Sequence, residues 1–184
     1  YKYSTSKKSV AKVSSKGVVT SVAPGTATIS CKITYPTKKT KTITCKVTVI
    51  LPADQIAITN EKTNANNSHV MTVNTTFDFD YELTPIKSTD KAYWYVEKGD
   101  SIVVEDSANG IVKAVKPGFA TLRVKAAKTS SKSAAAKSIV DDSVIIEVIE
   151  PKAEVISADI TSSTDITVVF GSPVDRSTVI DSTG

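Results

Sequence analysis

The sequence predicts an all-β protein built from tandem β-sandwich modules. Three observations predict this class: abundant β-branched residues, alternation of apolar and polar residues, and a repeated segment. Residues 17–29 (GVVTSVAPGTATI) and 110–122 (GIVKAVKPGFATL) are identical at seven of thirteen positions and lie 93 residues apart. Val, Ile and Thr pack well on a pleated surface. The spacing indicates a repeated domain, because solenoid repeats have periods of only about 20–50 residues.

Each copy of the repeat contains two turns that glycine makes possible. Gly17 and Gly110 close the first turn, where a positive φ is accessible mainly to glycine. Pro24-Gly25 and Pro117-Gly118 then end a short apolar strand and reverse the chain. We therefore expect the same strand–turn–strand unit at both places.

A long alternating strand follows each Pro-Gly turn, and a second alternating strand returns beside it. Period-2 alternation with one polar face is typical of an antiparallel sheet that is covered on one side. The residues predicted to face the core are Ala27, Ile29, Cys31, Ile33, Ile43, Cys45, Val47 and Val49 in the first copy, and Ala120, Leu122, Val124, Ala126, Val144, Ile146 and Val148 in the second.

The loop between these two strands is longer in the second copy. The return strands end at Pro52 and Pro151, an offset of 99 residues, so the second loop has six more residues than the first. Residues 126–137 (AAKTSSKSAAAK) lack an apolar stripe and are predicted as a surface loop. A unit of about one hundred residues with many short strands is typical of an immunoglobulin-like sandwich.

The segment SVAKVSSKGVVTSVAPGTATISCKI (residues 9–33) resembles the bacterial immunoglobulin-like group 2 family. The second copy resembles it less closely, with Tyr95 beside Trp94 in the aromatic position and Ile102-Val103 in place of Val-Ala. In the first copy the resemblance is carried by Tyr3, Val10-Ala11, Gly17-Val18-Val19, Gly25 and Ala27-Thr28-Ile29.

The resemblance divides the chain into three parts. Residues 1–51 match a partial module in which the first strands of the family are absent, and residues 54–150 match a complete module. Residues 152–184 resemble the beginning of a third module of another subtype. A partial module exposes strand edges and half of a core. We therefore expect a neighbouring module or a partner chain to cover it.

Cys31 and Cys45 lie on the two strands of the first hairpin. A register that pairs Ile33 with Ile43 predicts that the two thiols face each other. Two interpretations remain open: a pair of small buried hydrophobic residues, or a cross-strand disulfide outside the cell. Such a disulfide would close a loop of about 15 residues and add about 3 kcal/mol in the entropy model. Two Cys without a nearby His fall short of four zinc ligands, so no metal site is predicted.

Residues 1–51 form a basic block with ten Lys and no Asp or Glu, whereas residues 52–184 carry 13 basic and 19 acidic side chains. A basic face attracts polyanions such as anionic glycans. The favoured alternative is that the lysines discourage pairing between sheet edges. Aromatic residues do not interleave with the lysines, so no nucleic-acid partner is predicted. The residues of this predicted lysine patch are Lys32 and Lys46 on the strands and Lys38, Lys39 and Lys41 at the hairpin tip.

Catalysis is not predicted. The single His69 lies in a polar stretch and is expected to be exposed, and no Gly-x-Ser-x-Gly motif accompanies it. Asp78 and Asp80 alternate with aromatic residues and are expected on the solvent face of a strand, without the pattern of a calcium loop. The sequence therefore predicts neither catalytic residues nor a cofactor.

The resemblance implies a structural or adhesive role on the surface or in the wall of a bacterium. Short joints containing proline, at residues 51–53 and 150–152, predict a semi-rigid stalk whose partners are neighbouring modules and possible wall or host glycans. The alternative is a carbohydrate-binding or accessory module of a large extracellular polysaccharide-degrading enzyme. No apolar run approaches the roughly 18 residues of a membrane helix, so direct membrane insertion is not predicted.

Overall fold

The computed structural model describes residues 1–151, 155–162 and 164–171. Strands form more than half of these residues and helix almost none, which confirms the all-β prediction. The one helix among them, α1 (Lys132–Ala135), has four residues, and no helix in these ranges could cross a membrane. The strands are β1 (Lys2–Thr5), β2 (Ala11–Val13), β3 (Val19–Ser21), β4 (Gly25–Thr34), β5 (Thr40–Val49), β6 (Gln55–Ile58), β7 (Ser68–Thr72), β8 (Thr76–Asp78), β9 (Tyr81–Thr84), β10 (Lys91–Lys98), β11 (Ile102–Asp106), β12 (Ile111–Ala114), β13 (Gly118–Ala127), β14 (Asp141–Ile149), β15 (Val155–Ile160) and β16 (Ile166–Phe170).

The first unit, β1–β5, has a three-stranded antiparallel sheet in the order β1-β4-β5 and a separate β2-β3 hairpin. Its small core consists of Val10, Ala11 and Ala27, with Val49 packed against them. The alternation predicted for β4 is confirmed, since Ala27, Ile29 and Cys31 are buried.

The second unit, β6–β14, is a sandwich. One layer is the four-stranded sheet β10-β13-β14-β7, in which β7 runs parallel to β14 and the other pairs are antiparallel. The opposing strands form the sheet β11-β12-β8 and the pair β6-β9. Apolar side chains alternate inward from these strands and fill one core. Its largest fully buried side chains are Trp94, Phe79, Leu122, Ile146 and Val112.

The sequence repeat is also a structural repeat. Gly17 and Gly110 both have φ of 84°, and Gly25 and Gly118 have φ of 139° and 134°. Tyr3 pairs with Cys31 in the first unit, and Trp94 pairs with Val124 in the second. Since Cys31 and Val124 are equivalent in the repeat, Trp94 is the counterpart of Tyr3.

The placement of Tyr95 in the aromatic core position was therefore wrong. Trp94 is fully buried, and strand alternation turns Tyr95 to the outer face of the sheet. Sequence spacing alone left two adjacent aromatic residues as candidates for the core position. The pairing of β10 with β13 determines which of them points inward.

The prediction that Ile43 and Cys45 are buried in a core was also wrong. Ile43 is 50% exposed and Cys45 is exposed. In the second unit β6 packs over β14, β7 pairs with its edge, and Val144, the counterpart of Cys45, is buried. Among the described residues no equivalent strands cover β5, so its inward side lacks the opposing layer.

The stretch 126–137 is a surface loop with one helical turn. β13 extends through Ala127, and Ser131 caps α1 by accepting a hydrogen bond from the Ala134 N–H at 3.3 Å. Ala126, Ala127 and Ala135 are buried, so the loop packs against the sandwich.

The third part of the chain contains the antiparallel hairpin β15-β16. The module predicted at residues 152–184 falls partly outside the described residues, which omit 152–154, 163 and 172–184. That module stays a prediction.

Candidate functional site

The lysine patch predicted from the sequence is fully solvent-exposed. Lys32, Lys38, Lys39, Lys41 and Lys46 all lie on the surface of the β4-β5 hairpin. Lys38 has φ of 60°, and its N–H donates to the Tyr35 carbonyl at 2.9 Å across the hairpin tip. The ion pairs found among the described residues all lie in the second unit, and none uses these lysines.

The strand register divides the lysine patch between two faces. Lys32 lies opposite Thr42 and Lys46 opposite Thr28, which places both lysines on the outer face. Lys41 lies opposite Ile33 and so belongs to the other face. Because strands rise about 3.4 Å per residue, Lys32 and Lys46 are about 14 Å apart along the hairpin. The patch is a set of separated charges, and its binding of polyanions stays a prediction.

The two cysteines do not face each other. Cys31 lies opposite Ile43, and Cys45 lies opposite Ile29, so the predicted register was wrong by two residues. Both are free thiols on the same face, with Cys31 7% exposed and Cys45 exposed. The interpretation as a buried pair therefore fits Cys31 alone. The shift arises at the hairpin tip, where the Tyr35 N–H donates to the Lys39 carbonyl.

His69 is buried, contrary to the sequence prediction. Its exposed fraction is 3%, because β7 begins at Ser68 and carries the side chain into the sandwich. The imidazole packs against Phe77 and Phe79 with ring centroids 4.3 and 5.0 Å away. Its Nδ1 accepts the Lys62 N–H at 3.0 Å. Burial lowers the pKa of His69, with Lys62 acting in the same direction and Glu61 opposing it.

The acidic residues singled out in the sequence lie where expected. Asp78 and Asp80 are exposed, while Phe79 between them is buried. Asp80 accepts a hydrogen bond from Asn60 Nδ2 at 3.2 Å. Within the described ranges no three His, Cys, Asp or Glu side chains converge in the manner of a metal site.

The segment that joins the first two units is hydrogen-bonded to the second unit. Leu51 donates its N–H to Thr89 Oγ1 at 3.1 Å, and its carbonyl accepts from the Thr89 N–H at 2.7 Å. The Ser88 hydroxyl donates to the same carbonyl at 3.1 Å. Two residues later, the Ala53 N–H donates to Asp90 Oδ2 at 3.0 Å. The chain around Pro52 is thus attached to the loop that precedes β10.

Sequence analysis did not identify Ser88, Thr89 and Asp90 as partners of the joint. The available signal was their composition, since short polar side chains readily bond to backbone groups. Nothing in the local sequence shows which backbone they reach, because Leu51 lies 38 residues from Thr89.

No family model matches this chain, and no curated protein matches it. Among solved structures it is similar to surface layer protein SbsC, domains 1–6, with 20% identity and a TM-score of 0.40. That match covers 95% of this chain and 23% of the other. SbsC domains 4 and 5 match with 20% identity and a TM-score of 0.39, over 80% of this chain and 69% of theirs. Extracellular cadherin domains 1–4 of protocadherin Gamma B7 match with 11% identity and a TM-score of 0.33, over 92% and 50%. These scores are too low to establish a shared function.

Proposed function

We propose that this chain is a non-catalytic spacer segment of a bacterial cell-surface protein, built from modules of the immunoglobulin-like group 2 family. The observation that carries the proposal is the bonded joint, where Leu51 and Ala53 are attached to Thr89 and Asp90. A spacer must hold its two ends at a defined distance, and a restrained joint does so better than a flexible linker.

The joint restrains the chain at several consecutive positions. Both backbone groups of Leu51 are paired, Pro52 has a fixed φ, and Ala53 is buried. A typical intramolecular hydrogen bond contributes about 1 kcal/mol net. Several such bonds on neighbouring residues favour one arrangement of the connection over an ensemble of extended ones.

The burial of the single histidine supports a non-catalytic role. His69 is the single histidine of the chain, its Nδ1 is occupied, and its ring lies between phenylalanines in the core. A general base must reach a substrate within hydrogen-bond distance. His69 cannot do so without unfolding of the surrounding sandwich.

The proposal is tested by ¹⁵N relaxation of the full chain, which reports the tumbling of each unit. We expect the first two units to share one rotational correlation time. Thr89→Val removes the hydroxyl that bonds Leu51 and should separate the two correlation times, whereas Thr76→Val, an exposed substitution on β8, should not. Independent tumbling of the units in the unmodified chain would contradict the spacer role.

A second candidate function is carbohydrate binding, either in an adhesive surface protein or in an accessory module of a larger enzyme. The exposed lysines of the first hairpin, which form no ion pair with the described residues, favour it. The test is binding to an array of wall and host glycans, with Lys38, Lys39 and Lys41 changed together to Ser. Binding that persists in this triple variant would exclude the lysine patch as the site.

A further inference from the structure

The long loop of the second unit forms a groove that the first unit lacks. α1 and the residue after it lie beside the outer face of β10 and β13, and the space between them encloses about 320 Å³. We call this space the tyrosine groove. It is lined by Tyr93, Tyr95, Lys125, Lys132, Ala135 and Ala136.

The floor of the tyrosine groove is a pair of stacked rings. The centroids of Tyr93 and Tyr95 are 6.1 Å apart, and the ring planes differ by 29°. Both side chains are half-buried, so their rotamers are already restricted before any ligand binds. Neither phenolic hydroxyl bonds to another described residue. Burial also raises the pKa of Tyr95, which keeps its hydroxyl a neutral donor.

The charge at the tyrosine groove is positive. Lys125 is held in place by donation from its Nζ to the Ser138 carbonyl at 3.0 Å, and Lys132 is exposed on α1. Of the carboxylates on the same face of the sheet, Glu97 and Asp141 both bind Arg123. Glu147 lies toward the other end of β14, where it accepts hydrogen bonds from Asn64 and Ser68. Among the described residues neither lysine forms an ion pair, and no carboxylate lines the groove, so both ammonium groups can bind an anion.

The first unit shows that the three-stranded sheet β1-β4-β5, the counterpart of β10-β13-β14, forms without these side chains. Because Tyr3 is the counterpart of Trp94, the positions of Tyr93 and Tyr95 are occupied there by Lys2 and Ser4. The corresponding loop, residues 35–39, is a short turn without a helix. The aromatic pair and the helical wall therefore occur together and only in the second of these two units.

We propose that the tyrosine groove binds an acidic polysaccharide. The negative face of an aromatic ring attracts the polarised C–H groups of a pyranose, and two nearly parallel rings offer an extended face for stacking. The ammonium groups of Lys125 and Lys132 form charge-assisted hydrogen bonds to the carboxylates of the sugar. The free tyrosine hydroxyls donate to its ring and hydroxyl oxygens. This inference goes beyond the proposed spacer role, which does not depend on any ligand.

A polynucleotide would also stack on aromatic rings, but the charge of the unit disfavours it. Residues 53–150 carry 11 basic and 14 acidic side chains, a net charge of −3. Binding of single strands needs a positively charged track along the backbone. Only two of these 11 basic side chains, Lys125 and Lys132, line the groove, which suits a short anionic segment.

The test is titration of the full chain, observed by NMR, with α-1,4-linked tetragalacturonate as the probe. Its methyl ester serves as the matched uncharged ligand, and oligothymidine of similar length tests the nucleic-acid alternative. For tetragalacturonate we expect chemical-shift changes confined to the groove. The ester should bind at least about tenfold more weakly, a difference of about 1.4 kcal/mol. Absence of tetragalacturonate binding, equal binding of the ester, or tighter binding of oligothymidine would overturn the proposal.

The variants Tyr95→Ser and Lys132→Ser should each weaken binding at least about tenfold, the effect of losing about 1.4 kcal/mol. Ser occupies the equivalent position in the first unit, so Tyr95→Ser is compatible with the fold, and the dispersion of the NMR spectrum checks this. Lys137→Ser is the matched control, because Lys137 is exposed in the same loop but does not line the groove. Equal losses in Lys132→Ser and Lys137→Ser would show that general charge and not the groove binds the probe. Relaxation data that keep the units coupled while the sugar fails to bind would leave the spacer role standing.

Discussion

Trp94 lies against Gly110 in the second unit as Tyr3 lies against Gly17 in the first. A Cβ on Gly110 would come within 2.9 Å of Trp94 Cε2, and a Cβ on Gly17 would come within 2.9 Å of Tyr3 Cζ. Both glycines have a positive φ of 84°. The close contact explains why the turn and the aromatic residue occur together in each copy: the ring packs on a backbone that has no side chain.

Gly110→Ala should therefore destabilise the second unit. The new Cβ would lie 2.6 Å from the Phe79 carbonyl oxygen, a backbone atom that cannot rotate away, in addition to its contact with Trp94. A strained positive φ alone costs on the order of 1–3 kcal/mol. Urea unfolding followed by the fluorescence of Trp94, the single tryptophan, measures the change in the free energy of unfolding.

Gly17→Ala is the matched comparison, because its φ is the same and its closest contacts are all atoms of the Tyr3 side chain. That ring can move, so we expect a smaller loss, measured by hydrogen exchange within residues 1–34. A loss in Gly17→Ala equal to or larger than that in Gly110→Ala would contradict the account based on the Phe79 carbonyl.

Burial of His69 predicts a loss of stability in mild acid. The folded pKa lies below the unfolded value of about 6.5. As the pH falls, the unfolded chain therefore takes up the proton first, which favours unfolding. This contribution is fully present above about pH 6.5 and is lost as the pH falls from there to the folded pKa. Urea unfolding between about pH 8 and 5 measures this contribution as a fall in the free energy of unfolding.

His69→Asn is the control for this titration. The Asn side-chain oxygen can accept the Lys62 N–H as Nδ1 does, but it carries no proton in this range. The variant should be less stable overall, by on the order of 2 kcal/mol for the lost ring packing, and less dependent on pH. Parallel pH profiles for the two proteins would show that His69 is not the titrating group.

Asp106 makes a contribution of the same sign at lower pH, since its folded pKa is also lowered. Its carboxylate accepts the Asn109 side-chain amide at 2.8 Å and the backbone N–H groups of Ala108 and Asn109, and these bonds lower its pKa. Because the folded pKa is depressed, the stabilisation is present above the unfolded pKa and is lost as the pH falls through the folded one. Asp106→Asn should lower stability at neutral pH and reduce the dependence on pH below about 4. If the free energy of unfolding of the variant fell with acidification below about pH 4 as steeply as that of the unmodified chain, this role would be contradicted.

The two cysteines should differ in reactivity. Cys45 is exposed, whereas Cys31 is buried beside Tyr3 of the neighbouring strand β1. A thiol reagent should therefore modify Cys45 first, at least about tenfold faster, because Cys31 reacts only after local opening. Mass spectrometry of the alkylated chain measures both rates. Mild oxidation should not readily join them, because the register places them at diagonal positions. A rapidly formed internal disulfide would show that β5 shifts by two residues in solution.

Local sequence was sufficient to predict the strands of the repeat and its turns. The alternation of Leu122, Val124 and Ala126 has a period of two, and such a period has one structural interpretation over that length. Gly110 and Gly118 could be assigned because a positive φ is a property of a single residue and is cheap only for glycine. These features do not depend on what lies on the far side of the sheet.

Tertiary structure alone decided which of these side chains are covered and what they meet. Ile43 and Cys45 have the pattern of core residues but are exposed, because burial depends on a second layer that alternation cannot specify. His69 has polar neighbours in sequence but is buried, because β7 pairs with a strand more than 70 residues away. The bonds of Thr89 to Leu51 and the groove under α1 likewise join residues distant in sequence. The alternation of residues along a strand sets two faces, and long-range packing decides which face meets protein and which meets water.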